Sequence, residues 1–200
     1  MGIFKIDGVL FTTLNRVANL FLLNILFLVS CLPLVTIGTA LVALYQVSLK
    51  SLEDPQAAVV QLYVTSFKHQ WKKGLMIGTG MLVINSIVAS IVYFTARSFL
   101  FLSIPLFVIV AWLCLYNIYP YVFASQTDSV KQSLKQSVLC TFQFLPESIL
   151  MFMEMLLLLV VGPIFLPQMF PFVILFGFSG VALLQSMQLK KMVSMFAEMK

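Results

Sequence analysis

Charge is scarce in this chain. Acidic and basic side chains supply 10% of its 200 residues, against about 25% in ordinary soluble domains. Histidine occurs once, as His69, so neither a multi-histidine metal cluster nor a hydrolytic triad has the material it needs. HExxH, the phosphate-binding P-loop and GxGxxG are all missing from the sequence. The protein is therefore not expected to be an enzyme, and no catalytic residue, metal ligand or cofactor is assigned. Cysteine is limited to Cys31, Cys114 and Cys140. Their odd number and the lack of any CxxC argue against a complete disulfide framework. Cys31 and Cys114 stand in apolar surroundings, as small buried hydrophobes do. Lys and Arg outnumber Asp and Glu by 12 to 7, yet they fall in short clusters and form no basic stripe, so nucleic acid is not an expected partner.

Apolar surface is abundant. Hydrophobic residues make up 61% of the chain, more than a soluble protein of this length has interior to hide. The expected fold is all-α: a polytopic transmembrane helical bundle with lipid covering the excess. The first stretch, MGIFKIDGVLFTTLNRVANLF, carries Asn15, Arg16 and Asn19 and has no small-x-small site after a clean apolar core, so a cleaved signal is not expected. Ile6 stands where a myristoylation signal has Ser or Thr.

A bilayer core of about 30 Å takes about 20 helical residues. Residues 74–95, 99–120, 145–166 and 168–188 each meet that length. The region 10–51 is too long for one crossing, since a straight helix of it would extend about 60 Å. The stretch SCLPLVTIGTALVALYQ (residues 30–46) supplies a break. Pro33 removes a backbone donor and disfavours helix at Leu32. Thr36 is expected to cap a new helix by accepting from a free N–H, and Gly38 to allow close helix approach. Residues 10–32 and 33–50 then become a crossing and its return, giving six in all. A re-entrant pair that stops short of the far surface is the alternative. With both termini cytoplasmic, Lys5, Arg16, Lys50, Lys68, Lys72, Lys73, Lys131, Lys135, Lys190, Lys191 and Lys200 share the inner side. Arg97 alone stands outside, which agrees with the positive-inside rule.

Two inner segments, residues 55–73 and 125–143, read as amphipathic surface helices. In the first, Val60, Val64, Phe67 and Trp71 recur at helical spacing beside Lys68, Lys72 and Lys73. This pattern fits a helix on the inner leaflet or a docking surface made by Phe67, Lys68, Trp71, Lys72 and Lys73. In the second, Val130, Leu134 and Val138 form the apolar line, with Asp128 or Ser129 as cap.

Polar residues inside the crossings are few. Glu154 lies near the centre of the fifth, where a charge costs about 2.5–3.5 kcal/mol on insertion scales. Asn24 and Asn85 are expected near mid-depth of the first and third. The three could form a mid-membrane polar site, with Glu147 extending a polar path toward the cytoplasm, or each could serve as helix–helix glue. Tyr116, Asn117 and Tyr119 read as an interfacial belt, and Gly74/Gly78 and Gly177/Gly180 as close-packing positions.

The segment LPLVTIGTALVALYQ (residues 32–46), with Asn24 upstream and SFKHQWKKG (residues 66–74) downstream, resembles the YesL-like family of bacterial membrane proteins, a family of unknown function. The resemblance covers about the first 75 residues and implies a place in the bacterial cytoplasmic membrane near carbohydrate uptake. It brings no catalytic residues. The expected function is thus a non-enzymatic accessory or scaffold for carbohydrate uptake or sensing. The expected partners are the lipid bilayer, a sugar-uptake permease or membrane sensor, and a second copy of the chain as a homodimer. The alternative is a small proton-linked transporter working around Glu154, and a membrane enzyme acting on lipid or glycan stands third.

Overall fold

The computed structural model describes residues 9–54, 57–98, 110, 113–127, 129–166, 168 and 170–198. Among them every regular element is helical. Helix α1 is Val9–Ser30, α2 Ile37–Glu53, α3 Val59–His69, α4 Trp71–Ser98, α5 Tyr119–Gln126 and α6 Val130–Gln143. Helix α7 runs Leu145–Leu156, passes through a π-helical turn at Leu157–Val161 and ends at Gly162–Phe165. Helix α8 starts at Phe170–Phe172, has its own π-helical turn at Val173–Gly177 and continues as Phe178–Glu198.

Five stretches among the described residues are long and apolar enough to cross a bilayer: Thr13–Ser30, Leu34–Glu53, Trp71–Thr95, Leu145–Phe165 and Phe170–Met192. The chain is thus a multi-pass helical membrane protein. The sequence reading has six crossings. Most of the remaining one, residues 99–120, lies outside the described residues, and its described end runs on into α5.

The break between α1 and α2 is local chemistry. Helix α1 ends at Ser30, three residues before Pro33, and a single 3-10 turn, Leu34–Thr36, leads into α2. Thr36 acts differently from the expected cap: it makes no capping bond to α2. Its hydroxyl donates instead to the carbonyls of Ser30 (2.5 Å) and Pro33 (2.7 Å). The carbonyl of Ser30, at the C-terminal end of α1 where the helix supplies no further donor, draws the hydroxyl backward.

Helix α2 is the centre of the bundle. Its span is 56% buried inside the protein, against 11–28% for the other four. It touches α1, α3, α4, α5 and α8. Small side chains make this crowding feasible: Ala40, Val42, Ala43 and Val47 are fully enclosed. At Gly38 the approach is backbone on backbone. A Cβ on Gly38 would sit 2.5 Å from Gly78 Cα, and one on Gly78 would sit 2.6 Å from Gly38 Cα. Gly74 meets the Thr39 backbone in the same way, and Thr39 Oγ1 donates to the Trp71 carbonyl at 3.2 Å. By contrast, Gly180 has open space around it.

Helix α3 lies along α1 and α2. Val59, Tyr63 and Ser66 form its buried face, and Tyr63 Oη lies 2.7 Å from Ser30 Oγ. Val60 and Val64, on the face predicted to be apolar, are exposed. Both faces of α3 are therefore usable, one against protein and one outward. Its boundary with α4 falls at Gln70, ahead of the expected start at Gly74. Hydrogen bonds run through the junction, Gln70 N–H to Ser66 O and Gly74 N–H to Gln70 O, both 2.8 Å. No proline interrupts this stretch, so Trp71, Lys72 and Lys73 belong to the first turn of the long helix.

Helix α6 follows α5 as α3 follows α2. Ser133, Ser137, Cys140 and Thr141 are its buried residues, while Val130, Leu134 and Val138 are half-buried against the core. The buried hydroxyls are satisfied inside their own helix: Ser137 donates to Ser133 O at 2.6 Å and Thr141 to Ser137 O at 2.8 Å. Ser129 occupies the N-cap position without a side-chain bond, and Asp128 lies outside the described residues.

Both π-helical turns have identifiable causes. Pro163 has no N–H for the Leu159 carbonyl, and its ring crowds that turn, so the ladder shifts by one residue and Gly162 N–H bonds back to Leu157 O. The turn in α8 is stitched by a side chain from α1, described next.

Candidate functional site

The three polar residues expected to share a mid-membrane site each have a separate partner. Asn24 is fully buried. Its Nδ2 donates to the Ile174 carbonyl at 2.6 Å, and its Oδ1 accepts from Ser179 N–H at 2.9 Å. One carboxamide thus bridges a carbonyl and an amide five residues apart in α8, across the π-helical turn. A side chain inserted into the ladder accounts for the local register.

Asn85 on α4 pairs with Asn117 in both directions: Asn85 Nδ2 to Asn117 Oδ1 at 3.0 Å and Asn117 Nδ2 to Asn85 Oδ1 at 3.2 Å. Asn117 is therefore a helix-bridging residue and not part of an interfacial belt. Tyr119 also turns inward: it is fully buried, with its hydroxyl 2.6 Å from Ser148 Oγ on α7. A cavity of about 790 Å³ opens beside Asn85, lined by Val88, Val92, Leu113 and Cys114 among others, and neither Asn24 nor Glu154 reaches it.

Glu154 on α7 accepts from Gln188 Nε2 of α8 at 2.6 Å. Glu154 Oε2 and Gln188 Oε1 are both buried without a partner. Gln188 is nine residues beyond Ser179, about 13 Å of helical rise, so the Asn24 and Glu154 clamps grip α8 at different depths. Gln188 also stands two residues from Lys190, which brings the basic end of α8 nearer to Glu154 than a count along α7 alone suggests. Glu147 sits in the first turn of α7, where the helix dipole favours a carboxylate.

Sequence reasoning missed a third clamp. Gln185, fully buried one turn before Gln188, accepts from the Tyr45 hydroxyl of α2 and donates to the Met151 carbonyl of α7 at 3.2 Å. The available signal is the pair Gln185 and Gln188, one turn apart at the end of the crossing 168–188.

The expected docking residues gather at the α3–α4 elbow. Tyr63, Phe67 and Trp71 form an aromatic ladder across the junction, with ring centroids 6.2 and 5.3 Å apart. Trp71, Lys68 and Lys72 are exposed, and a shallow cleft is lined by Phe67, Lys68, His69, Trp71 and Lys72. Lys73 has a different task. Its Nζ donates to the carbonyls of Ala124 (3.1 Å) and Thr127 (2.6 Å), closing the C-terminal end of α5, where a cation is favoured. Among the described residues no group of three His, Cys, Asp or Glu is placed to hold a metal ion.

Residues 20–90 match the family described as "Protein of unknown function, DUF624". This segment belongs to that YesL-like family. The DUF624 match takes in the second half of α1, the Pro33 turn, α2, α3 and most of α4, so it carries Asn24, the Gly38–Gly78 crossing and the aromatic–basic elbow. Glu154 and its Gln188 partner lie beyond it. No curated protein and no solved structure is a match for the chain.

Proposed function

We propose that the protein is a non-enzymatic accessory or scaffold of the bacterial cytoplasmic membrane, docking through its α3–α4 elbow onto a carbohydrate-uptake permease. The observation that carries this reading is the elbow itself: exposed Trp71, Lys68 and Lys72 beside Phe67, at one junction with backbone hydrogen bonds running through it. Aromatic and cationic groups on a fixed frame are suited to a protein partner. The inward polar residues support it further, since Asn24, Asn85 and Gln185 are already engaged in holding helices together. Co-purification from native membranes in mild detergent tests the reading. A permease component should accompany the wild-type chain and be lost from a Trp71→Ala/Lys72→Glu variant. Recovery of the wild-type chain alone would count against docking.

The elbow also favours the re-entrant form of the first hairpin. Thr39 meets Trp71 and Gly74, and Gly38 meets Gly78. Lys72 and Lys73 therefore lie beside the start of α2, about 9 Å of rise from Pro33 and about 16 Å from Lys50. The tip residues Leu32, Leu34 and Val35 are apolar and exposed, as suits a turn ending within lipid.

A second reading, a proton-linked transporter, is favoured by one observation: the unpartnered acceptors Glu154 Oε2 and Gln188 Oε1. A proton on Glu154 would supply the donor they lack. Vesicles loaded with a pH dye test it, and a Glu154→Gln variant with wild-type flux removes it.

A further inference from the structure

A second polar recess lies away from the elbow. It is a cavity of about 270 Å³ between α1, α2 and α8, with the start of α3 at its rim. Arg16 and Asn19 face it from α1, Ser48 and Ser51 from α2, and Leu23 and Met187 help form an apolar back wall.

The two serines depart from a habit of this chain. Many helical hydroxyls donate to the carbonyl one turn earlier, as Thr79, Ser90, Ser137, Thr141 and Ser148 do; Ser186 on α8 is a further buried hydroxyl without a partner, but it does not line this recess. Ser48 Oγ and Ser51 Oγ make no such bond and have no other partner, although both atoms are buried. Ser48 as a residue is fully enclosed. A buried hydroxyl without a partner carries a desolvation penalty, and two at one cavity wall mark a place where a ligand acceptor belongs. Arg16 has no carboxylate partner among the described residues. Val59 opens α3, and its preceding residue Ala58 provides no side-chain cap, so the positive end of that helix adjoins the recess. Glu53, the last residue of α2, is engaged by Lys190 at 3.5 Å, and Asp54 next to it also has a partner.

We propose that this recess binds the phosphate group of an anionic ligand. The Arg16 guanidinium supplies charge and paired N–H donors. The Asn19 amide and the Ser48 and Ser51 hydroxyls donate to the remaining oxygens. The apolar back wall accommodates the hydrocarbon next to the phosphate. Two sources share this chemistry: the headgroup of an anionic membrane lipid, and a soluble phosphate ester.

The full chain in phosphatidylcholine nanodiscs separates the two. One arm adds phosphatidylglycerol to the discs, and the other titrates inorganic phosphate into discs without it. Thermal midpoint and ligand retention in native mass spectrometry are the readouts. Stabilisation by phosphatidylglycerol alone identifies the headgroup, and stabilisation by inorganic phosphate identifies the soluble ester. Arg16→Gln, at an exposed position, and Ser48→Ala, which removes only the hydroxyl, should each weaken retention by about tenfold. A wild-type midpoint that responds to neither addition overturns the proposal, as does a wild-type response in either variant.

Discussion

Asn24 shows how one side chain can set the form of another helix. Its carboxamide bonds at once to Ile174 O and to Ser179 N–H. Replacing it with Leu keeps the size and removes both bonds, at a cost of about 1–3 kcal/mol for the buried groups left open. The expected outcome is a melting midpoint several degrees lower in detergent, read by fluorescence size-exclusion, while Asn15→Leu, outside the clamp, leaves it unchanged. Cys140 offers a pH-dependent test. Burial pushes its thiol up from 9.0 to about 11. The folded state thus holds that proton more tightly than the unfolded chain does. Stability from this group is complete below about pH 9 and falls as pH rises toward 11. Native protein at pH 8 should alkylate slowly at Cys140, and unfolding in SDS should remove the protection, as mass spectrometry of the labelled peptide will show. Fast alkylation in the native state would place the thiol in solvent.

At the scale of elements, the α2–α4 crossing makes a sharp comparison within one helix. Gly78 has the Gly38 backbone where a Cβ would go, whereas Gly80 has nothing within reach. Gly78→Ala should therefore part the two helices and lower the yield of monodisperse protein, while Gly80→Ala should stay within about 0.5 kcal/mol of wild type. Equal behaviour of the two variants would mean that the crossing is not tight. The Pro33 break was legible in the sequence because its cause is confined to neighbouring backbone groups. The Asn24 clamp was not, because its partners lie 150 and 155 residues away and hydropathy does not encode helix order. The α6 face was misleading for another reason. Val130, Leu134 and Val138 read as its apolar line, yet the buried residues include Ser133, Ser137 and Thr141, whose hydroxyls are bonded within the helix and whose small size suits a close contact.

For the whole molecule, the sequence made a multi-pass helical body legible because composition alone requires it. It left the depth of the first hairpin open, since charge counts agree with either a spanning or a re-entrant pair. Cysteine substitution at Leu34 and at Gln168, in a chain whose three native cysteines are replaced by Ser, distinguishes them. With a re-entrant tip, an impermeant thiol reagent on intact cells should label position 168 and spare position 34. Labelling of both would restore two full crossings.

The central place of α2 also bears on how the chain is made. Tyr45 on α2 waits for Gln185 on α8, so the ribosome must add 140 residues before that bond can close. During this interval the nascent hairpin has Ser48, Thr39 and other interior polar groups without their final surroundings. An insertase or other membrane chaperone would have to shelter it, and a chain truncated before α8 should be a substrate for membrane quality-control proteolysis, with a shorter pulse-chase half-life than the complete protein.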